Sequence, residues 1–231
     1  MKQHLRTHGH LFLLVAIMLF VTLLSTAMRS PEAAVAPPPA RPAVQAPTWE
    51  ADFEDSDKVA LCLTPMEYEL YELTMAYRRS KGLPSIPLSY SLTLVAQTHA
   101  RDVATYRPDK EPCNTHSWSN RGNWKGCCYT RDHKQAACMW SKPSELTGGK
   151  FSGNGFEISY GGGNPAYGDV ASASAALEGW KSSSGHNAVI INQGMWADNE
   201  WKSIGIGIYK GSACIWFSDS QDPQGTVAKC Q

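Results

Sequence analysis

The sequence predicts an α+β fold in which helices precede a C-terminal β-hairpin. Three observations indicate it: a capping box that opens a helix at Thr64, a second amphipathic helix ending near Tyr106, and an alternating apolar pattern over residues 202–219. Because strands and helices do not alternate regularly along the chain, the pattern favours a helix-on-sheet sandwich over a doubly wound sheet.

The N-terminal region is predicted to direct export. Residues 11–28 form an uncharged apolar run that follows basic residues and ends with the small residues of Ser25-Thr26-Ala27. Residues 1–28 are therefore expected to be a signal peptide, or an uncleaved signal anchor, since a run of 18 apolar residues can just cross a bilayer. Both alternatives place the rest of the chain outside the cytoplasm, as a secreted, extracellular or periplasmic protein.

The remaining chain divides into a linker and one domain. Residues 29–54 are rich in proline and alanine, which is typical of a semi-rigid extended spacer. Residues 55–231 are then long enough for a single globular domain. Composition fits that assignment, with 42% hydrophobic and 18% charged residues.

Charge argues against a nucleic-acid partner. The chain carries 21 basic and 21 acidic side chains and has no basic stripe. A protein that binds the phosphate backbone usually has a basic patch.

The first helix is predicted from its capping signals. Thr64-Pro65-Met66-Glu67 combines a capping box with proline at the first helical position, and Gly82 supplies a left-handed stop. The second helix begins near Ser91. Its apolar face carries Leu92, Val95, Ala96, His99 and Val103. A lone histidine on such a face is more often a satisfied core residue than a ligand, so His99 is assigned to the core.

The middle of the chain is predicted to be irregular. Residues 112–163 lack sustained periodicity, so they are predicted to form a loop region held by disulfides. A third helix is expected after Asp169, which would cap it. Its apolar stripe holds Val170, Ala173, Leu177 and Trp180, and the SSSG sequence after Trp180 is expected to end it.

The last elements are predicted to form a hairpin. Ile204, Ile206 and Ile208 alternate with small residues, and the chain turns at Lys210-Gly211-Ser212. It returns through a second alternating run that contains Ala213, Ile215 and Phe217.

The cysteines predict three disulfides and one free thiol. Seven cysteines follow the leader: Cys62, Cys113, Cys127, Cys128, Cys138, Cys214 and Cys230. Thiols outside the cytoplasm usually pair, although spacing alone does not fix which pairs form. A Cys214–Cys230 bridge is favoured because it would tie down the C-terminal tail. The alternative is a metal site among the crowded thiols and imidazoles of residues 113–138, but their spacing matches no common zinc pattern.

Four segments, taken in order, resemble the CAP superfamily of cysteine-rich secretory proteins, insect venom antigens and plant pathogenesis-related proteins. They are YRRSKGLPSIPLSYSLTLVAQTHARD, the HSWS at His116, the GFEIS around Glu157, and GWKSSSGHNAVIIN. The last is similar to the signature of bacterial members. The resemblance covers residues 64–218 and implies a three-layer α-β-α sandwich of the CAP (SCP-domain) type.

The resemblance also implies a cleft. Carried over residue by residue, its histidines are His116 and His186 and its acidic residue is Glu157. Many members have a second glutamate at the position of Ser183, so Glu178 on the preceding helix turn is considered as a substitute. The residue after Glu157 is Ile158, where the family usually has asparagine.

Three functions follow from such a cleft. Imidazoles and a carboxylate facing water suit a catalytic-type site for zinc or another divalent metal. With a nearby nucleophile they would suit a protease-like or esterase-like hydrolase, for which Ser117 and Ser182–Ser184 are candidates, although no nucleophile motif is present. They would also suit a purely structural hydrogen-bonded cluster.

Ligand binding is the preferred function. The resemblance implies a lipid, a sterol or an extracellular protein as partner, with no catalytic residue assigned. Aromatic residues beside His116 are expected to add contact surface or to cover the disulfides: Trp118, Trp124, Tyr129 and Trp140. Trp180 and Trp216, which fall in regular elements, are assigned to the core.

Overall fold

A computed structural model describes residues 61–162 and 171–231. The predicted leader, the predicted linker and the first residues of the predicted domain lie outside the described residues, as do Asp169 and Val170. No helix in the two described ranges is long and apolar enough to cross a membrane.

The described elements are helices, short and long, and five strands. In chain order they are β1 (Cys62–Leu63), α1 (Pro65–Ser80), α2 (Tyr90–Tyr106), α3 (Ala136–Trp140), α4 (Lys142–Leu146), β2 (Phe156–Tyr160), α5 (Ala173–Ser182), α6 (Ser184–Ile190), a 3₁₀ turn (Gly194–Trp196), β3 (Ser203–Tyr209), β4 (Ser212–Ser218) and β5 (Ala228–Lys229).

The core of the fold is an antiparallel sheet with the strand order β2-β4-β3. The predicted hairpin is confirmed: β3 and β4 are joined by Lys210-Gly211, and Ile206 lies opposite Ile215. Strand β2 pairs with the other side of β4. The short strands β1 and β5 form a separate parallel pair, in which Cys62 lies opposite Ala228.

Both predicted N-terminal helices are confirmed. The capping box at Thr64 is formed, with the Glu67 carboxylate accepting from the Thr64 backbone N–H at 2.8 Å. Gly82 follows the helix with a φ of +76°, the left-handed conformation that favours glycine. Helix α2 begins one residue earlier than predicted because the Ser89 side chain accepts from the Leu92 backbone N–H.

Helices cover both faces of the sheet, which makes a three-layer sandwich. Helix α2 lies on one face, where Gly205 and Gly207 allow its backbone to approach β3. A Cβ on either glycine would overlap the backbone of α2 at Leu92 or Ala96. The opposite face carries the isoleucines of β3. Helices α1, α5 and α6 pack on that face and form a hydrophobic cluster with it. The α+β sandwich predicted from the sequence is therefore present.

The region predicted to be irregular contains more structure than expected. Two one-turn helices, α3 and α4, and the whole of β2 fall within residues 112–163. Helices of five residues are too short to show helical periodicity, whereas Phe156–Tyr160 does alternate apolar and polar residues, which is a short strand signal. Helix α5 is capped by Ser172 rather than by Asp169; it ends at Ser182, within the SSSG sequence as predicted, and α6 begins at Ser184.

Three disulfides and one free thiol are present, as predicted. The bridges are Cys62–Cys230, Cys113–Cys128 and Cys127–Cys138. The predicted Cys214–Cys230 bridge is wrong. Cys214 lies on the α2 side of the central strand, where its thiol donates to the Ala96 carbonyl, so it is buried in the sheet core. Cys230 instead follows β5, whose pairing with β1 brings it to Cys62.

The aromatic residues expected beside His116 divide between core and surface, and the buried ones fit the alternative that they cover the disulfides. Trp180 and Trp216 are in the core, as predicted, but Trp118 and Tyr129 are also buried. They belong to the cluster between α2 and the disulfide-rich region, so they cannot offer contact surface. Trp140 is the member of the predicted aromatic set that is exposed, at 38%.

Replacing Gly207 by alanine is expected to destabilise the protein strongly, because the new methyl group would overlap the backbone of α2 at Ala96. The expected loss is about 3 kcal/mol of unfolding free energy. Gly185→Ala is the matched control, because Gly185 lies in α6 with open space around its Cβ position and alanine favours helix. Urea unfolding would measure both, and equal stability of the two variants would contradict the close α2–sheet contact.

Thiol labelling is expected to find one reactive sulfhydryl per chain after unfolding without reductant. In the folded protein that thiol should be unreactive, because burial and the nearby Glu157 carboxylate raise the pKa of Cys214. Rapid labelling in the folded state, or three or more thiols after unfolding, would contradict the disulfide assignment.

Candidate functional site

Glu157 is the centre of a polar cluster on the α2 side of the sheet. In β2 it lies opposite Trp216, and residues opposite each other in an antiparallel pair share one face. Trp216 in turn lies opposite Gly205, which contacts α2. The register therefore directs the Glu157 side chain toward α2, where its carboxylate is fully buried.

His99 reaches the carboxylate from α2. Its Nδ1 lies 2.5 Å from one oxygen of Glu157, Oε1, and its Nε2 lies 3.1 Å from the backbone carbonyl oxygen of Ser117. The ring stacks on Trp118 with centroids 4.2 Å apart and an interplanar angle of 9°. The prediction that His99 is a buried, satisfied residue is correct, but its partner is the central carboxylate of the cluster.

His116 reaches the second oxygen of the same carboxylate. Its Nδ1 lies 2.8 Å from Glu157 Oε2, and its side chain remains 16% exposed. A tight turn presents the ring, because Asn114 accepts from the backbone N–H groups of both His116 and Ser117. The adjacent Cys113–Cys128 disulfide fixes the start of this turn.

His186 faces His116 from the opposite helical layer. It lies in α6, and its ring centroid is 6.4 Å from that of His116. The Trp180 indole N–H at the end of α5 donates to the Ser159 carbonyl of β2 at 3.0 Å. The buried Arg78 guanidinium donates to the Ile190 carbonyl at the end of α6. The first contact joins α5 to β2, and the second joins α6 to α1, so both neighbours of the His186 helix are anchored.

Glu178 does not join this cluster. Its carboxylate forms an ion pair with Lys181 at 2.6 Å, and its side chain is 67% exposed. The buried face of α5 consists of Ala173, Ala176, Leu177 and Trp180, so Glu178 points to solvent. The structure therefore does not bring Glu178, considered as a substitute for the second family glutamate, to the other three residues.

The serines considered as nucleophiles are also elsewhere. The Ser117 hydroxyl is buried and accepts from the Tyr129 backbone N–H at 2.8 Å. Ser182 donates to the Gly179 carbonyl of its own helix. Within residues 61–162 and 171–231, no serine hydroxyl is hydrogen-bonded to a histidine of the cluster.

The charges of the cluster are coupled. Burial works against ionisation of Glu157, but the charge of His99 and the hydrogen bonds from both imidazoles outweigh it and hold the pKa of Glu157 well below its usual range. Burial also opposes protonation of His99, but the Glu157 carboxylate and the Ser117 carbonyl raise the pKa of that imidazole. By contrast, burial and the proximity of His116 lower the pKa of His186 to about 4.

The geometry assigns different parts to the three predicted residues. Both oxygens of Glu157 are occupied by imidazoles, so the carboxylate orients His116 instead of offering a free ligand atom. His116 uses Nδ1 for that contact, which leaves Nε2 for a ligand. A carboxylate that holds the far nitrogen of a ligating histidine is the usual support of a zinc site.

A second group of possible metal ligands lies deeper, formed by His99, Glu157 and Cys214. Their donor atoms lie within 4.8 Å of one another, and all three residues are buried. Two of these groups already bond each other, and the raised pKa of the Cys214 thiol disfavours the thiolate that a metal requires. This group is therefore the buried, inner part of the cluster. His116 and His186 form its more accessible outer part.

From the sequence alone, His99 is predicted to be a core residue, and its contact with Glu157 is not predicted. A signal for its position was present in β3, where Gly205 and Gly207 indicate close approach of another backbone. That signal becomes useful only when β2 is recognised as the strand next to β4, because the register then puts Glu157 under α2.

His186 is expected to make the metal-free protein less stable in weak acid. Its folded pKa of about 4 lies below the unfolded value near 6.5, so the stability from the neutral ring is present above pH 6.5 and is lost as pH falls toward 4. Between pH 7.5 and 5 the loss should be about 2 kcal/mol. The raised pKa of His99 acts in the opposite direction, so urea unfolding with a chelator present should show this loss as a difference in pH dependence between the wild type and a variant without the His186 imidazole.

Two variants isolate that contribution. His186→Gln should reduce the loss between pH 7.5 and 5, because glutamine does not titrate. His133→Gln is the control, because His133 is an exposed loop residue bonded to the Tyr129 hydroxyl. An unchanged loss in His186→Gln would show that the His186 ring is not held neutral in the folded state.

Comparisons with known proteins identify the family of the chain. The family model of the cysteine-rich secretory protein family, CAP, matches residues 71–217. No curated protein matches the sequence.

Two solved structures are similar to the chain. One is an extracellular protein containing an SCP domain from Bacillus anthracis, with 18% identity and a TM-score of 0.45 over 66% of this chain and 39% of that one. The other is a cysteine-rich secretory protein from Staphylococcus aureus, with 13% identity and a TM-score of 0.40 over 78% of this chain and 41% of that one. The chain spans about two fifths of each. Because the family model covers more than half of the sequence, this chain belongs to the CAP family of cysteine-rich secretory proteins.

Proposed function

We propose that this protein is an exported CAP-domain binding protein whose cleft holds a divalent metal ion on His116 and His186. The observation that carries the proposal is the hydrogen bond between His116 Nδ1 and Glu157 Oε2 at 2.8 Å. It fixes the ring and leaves Nε2 to ligate, with His186 as the facing imidazole. Export is supported by the three disulfides, which persist in oxidising compartments.

The two imidazoles fit one small ion. With zinc–nitrogen distances of about 2.0 Å, two imidazoles on a tetrahedral ion have ring centres about 5 Å apart. The centres of His116 and His186 are 6.4 Å apart, so a modest rotation of either side chain would bring them together. The lowered pKa of His186 supports the proposal, because a neutral imidazole is the form that binds metal.

Two protein ligands would leave open coordination positions. A bound divalent ion supplies Lewis acidity and an attachment point for the oxygen atoms of another molecule. The residues of this chain contribute orientation: Glu157 holds His116, and α6 holds His186. We propose that the partner is a lipid, a sterol or an extracellular protein, which are the ligand classes that the family resemblance implies.

The hydrolase alternative has weaker support. A hydrolase that uses a side-chain nucleophile needs that group within hydrogen-bond reach of its base. Among the described residues, the hydroxyls of Ser117 and Ser182 bond backbone atoms instead. The structural-cluster alternative accounts for His99 and Glu157, which are buried, but it assigns no part to the exposed edge of His116 or to His186.

Zinc binding is expected to depend on both cleft histidines. In calorimetric titrations at pH 7.5, His116→Ala and His186→Ala should each lower zinc affinity by at least tenfold, since even loss of a supporting residue has that effect. Affinity should fall further only as pH approaches about 4, the pKa of His186, because protonated imidazole does not bind metal.

His133→Ala is the control, because it removes an imidazole that lies in an exposed loop. His4, His8 and His10 near the N-terminus are unchanged in every variant, so a loss confined to His116→Ala and His186→Ala does not come from them. A wild-type titration without heat at pH 7.5, or equal loss in His133→Ala, would contradict the metal proposal.

A further inference from the structure

The buried contacts of His99 restrict where hydrogen atoms lie in the cluster. A backbone carbonyl oxygen only accepts hydrogen bonds, so the 3.1 Å contact with Ser117 requires a hydrogen on His99 Nε2. At 2.5 Å, the contact between His99 Nδ1 and Glu157 Oε1 requires one hydrogen between those two atoms. That requirement holds whether the hydrogen belongs to the imidazole or to the carboxyl group.

The same hydrogen determines the hydrogen bond on the other side of Glu157. With one hydrogen held between His99 and Oε1, the second oxygen, Oε2, carries none and can only accept. His116 must then donate from Nδ1 across the 2.8 Å contact. A neutral imidazole with its hydrogen on Nδ1 has its lone pair on Nε2, which is the atom that a metal needs.

We propose that His99 is a positioning residue that selects the metal-binding tautomer of His116 through the shared carboxylate of Glu157. The inference rests on the proposed metal function of His116 and names the residue that prepares it. Without His99, the hydrogen of a protonated Glu157 could lie on Oε2 and be donated to His116 Nδ1. The hydrogen of His116 would then occupy Nε2 and block the ligating position.

The surroundings of His99 keep its ring in the required orientation. The ring is fully buried, stacks on Trp118 and meets the edge of Trp216 at 6.0 Å between centroids. The Ser117 carbonyl that it binds belongs to the residue directly after His116. His99 therefore touches both the carboxylate that holds His116 and the backbone that carries it.

Two substitutions at His99 separate this role from simple packing. Asparagine places its amide nitrogen near the former Nδ1, so His99→Asn can still donate to Glu157. Glutamine places its amide near the former Nε2, so His99→Gln can keep the Ser117 contact but loses the donor to Glu157. Both variants replace the ring by an amide and both lose the stacking on Trp118, which makes them a matched pair.

The test is nitrogen NMR of the histidine rings in the metal-free protein, followed by zinc titration. The wild type and His99→Asn should show His116 with hydrogen on Nδ1 and an unprotonated Nε2. His99→Gln should show His116 with hydrogen on Nε2 in part or all of the population, and zinc affinity at least tenfold below that of His99→Asn.

Failure of this inference is distinguishable from failure of the metal proposal. Hydrogen on Nε2 of His116 in the wild type, or the same His116 tautomer in both variants, would overturn the role of His99 whatever the zinc result. The predicted tautomers together with no zinc binding by the wild type would instead remove the metal function and leave the positioning role standing. If His99→Gln does not fold, His99→Phe, which keeps an aromatic ring against Trp118, takes its place with the same expected result.

Discussion

The arrangement of the site depends on one buried carboxylate shared by two imidazoles. Glu157 has no exposed side-chain surface, and its oxygens contact His99 and His116, which come from a helix and from a disulfide-held loop. A buried charge of this kind is tolerated only when it is fully paired, and removing one partner typically costs 3–5 kcal/mol. The carboxylate therefore couples the position of the exposed His116 ring to the packing of the core beneath it.

That pairing requires helix α2 to lie unusually close to the sheet. His99 reaches Glu157 because Gly205 and Gly207 let the backbone of α2 approach β3. The second helical layer is held at the other end of the cleft, where Trp180 bonds the β2 carbonyl of Ser159. The edge strand β2 thus directs Glu157 toward α2. It also bonds Trp180 of α5, the helix that precedes the His186 helix.

Local patterns predicted the regular elements well and the site less completely. The capping box at Thr64 and the alternation around Ile206 each depend on residues that are close together in the chain. Both could therefore be predicted from the sequence. The Cys62–Cys230 bridge and the His99–Glu157 contact join positions far apart in the chain. Those contacts follow from strand register, and the alternation of Phe156–Tyr160 does not by itself say which strand β2 pairs with. The family resemblance supplied His116, His186 and Glu157, whereas Glu178 depended on helical position alone and lies in solvent.

The central claim is that Glu157 supports His116 and that the two histidines, not the carboxylate, bind the ion. Crystals grown with zinc and measured on both sides of its absorption edge would test it most directly. The account predicts one anomalous peak within about 2.1 Å of His116 Nε2 and of a His186 nitrogen, with Glu157 still bonded to His99 and His116. A peak coordinated by Glu157 itself, or no peak between the two histidines, would contradict it.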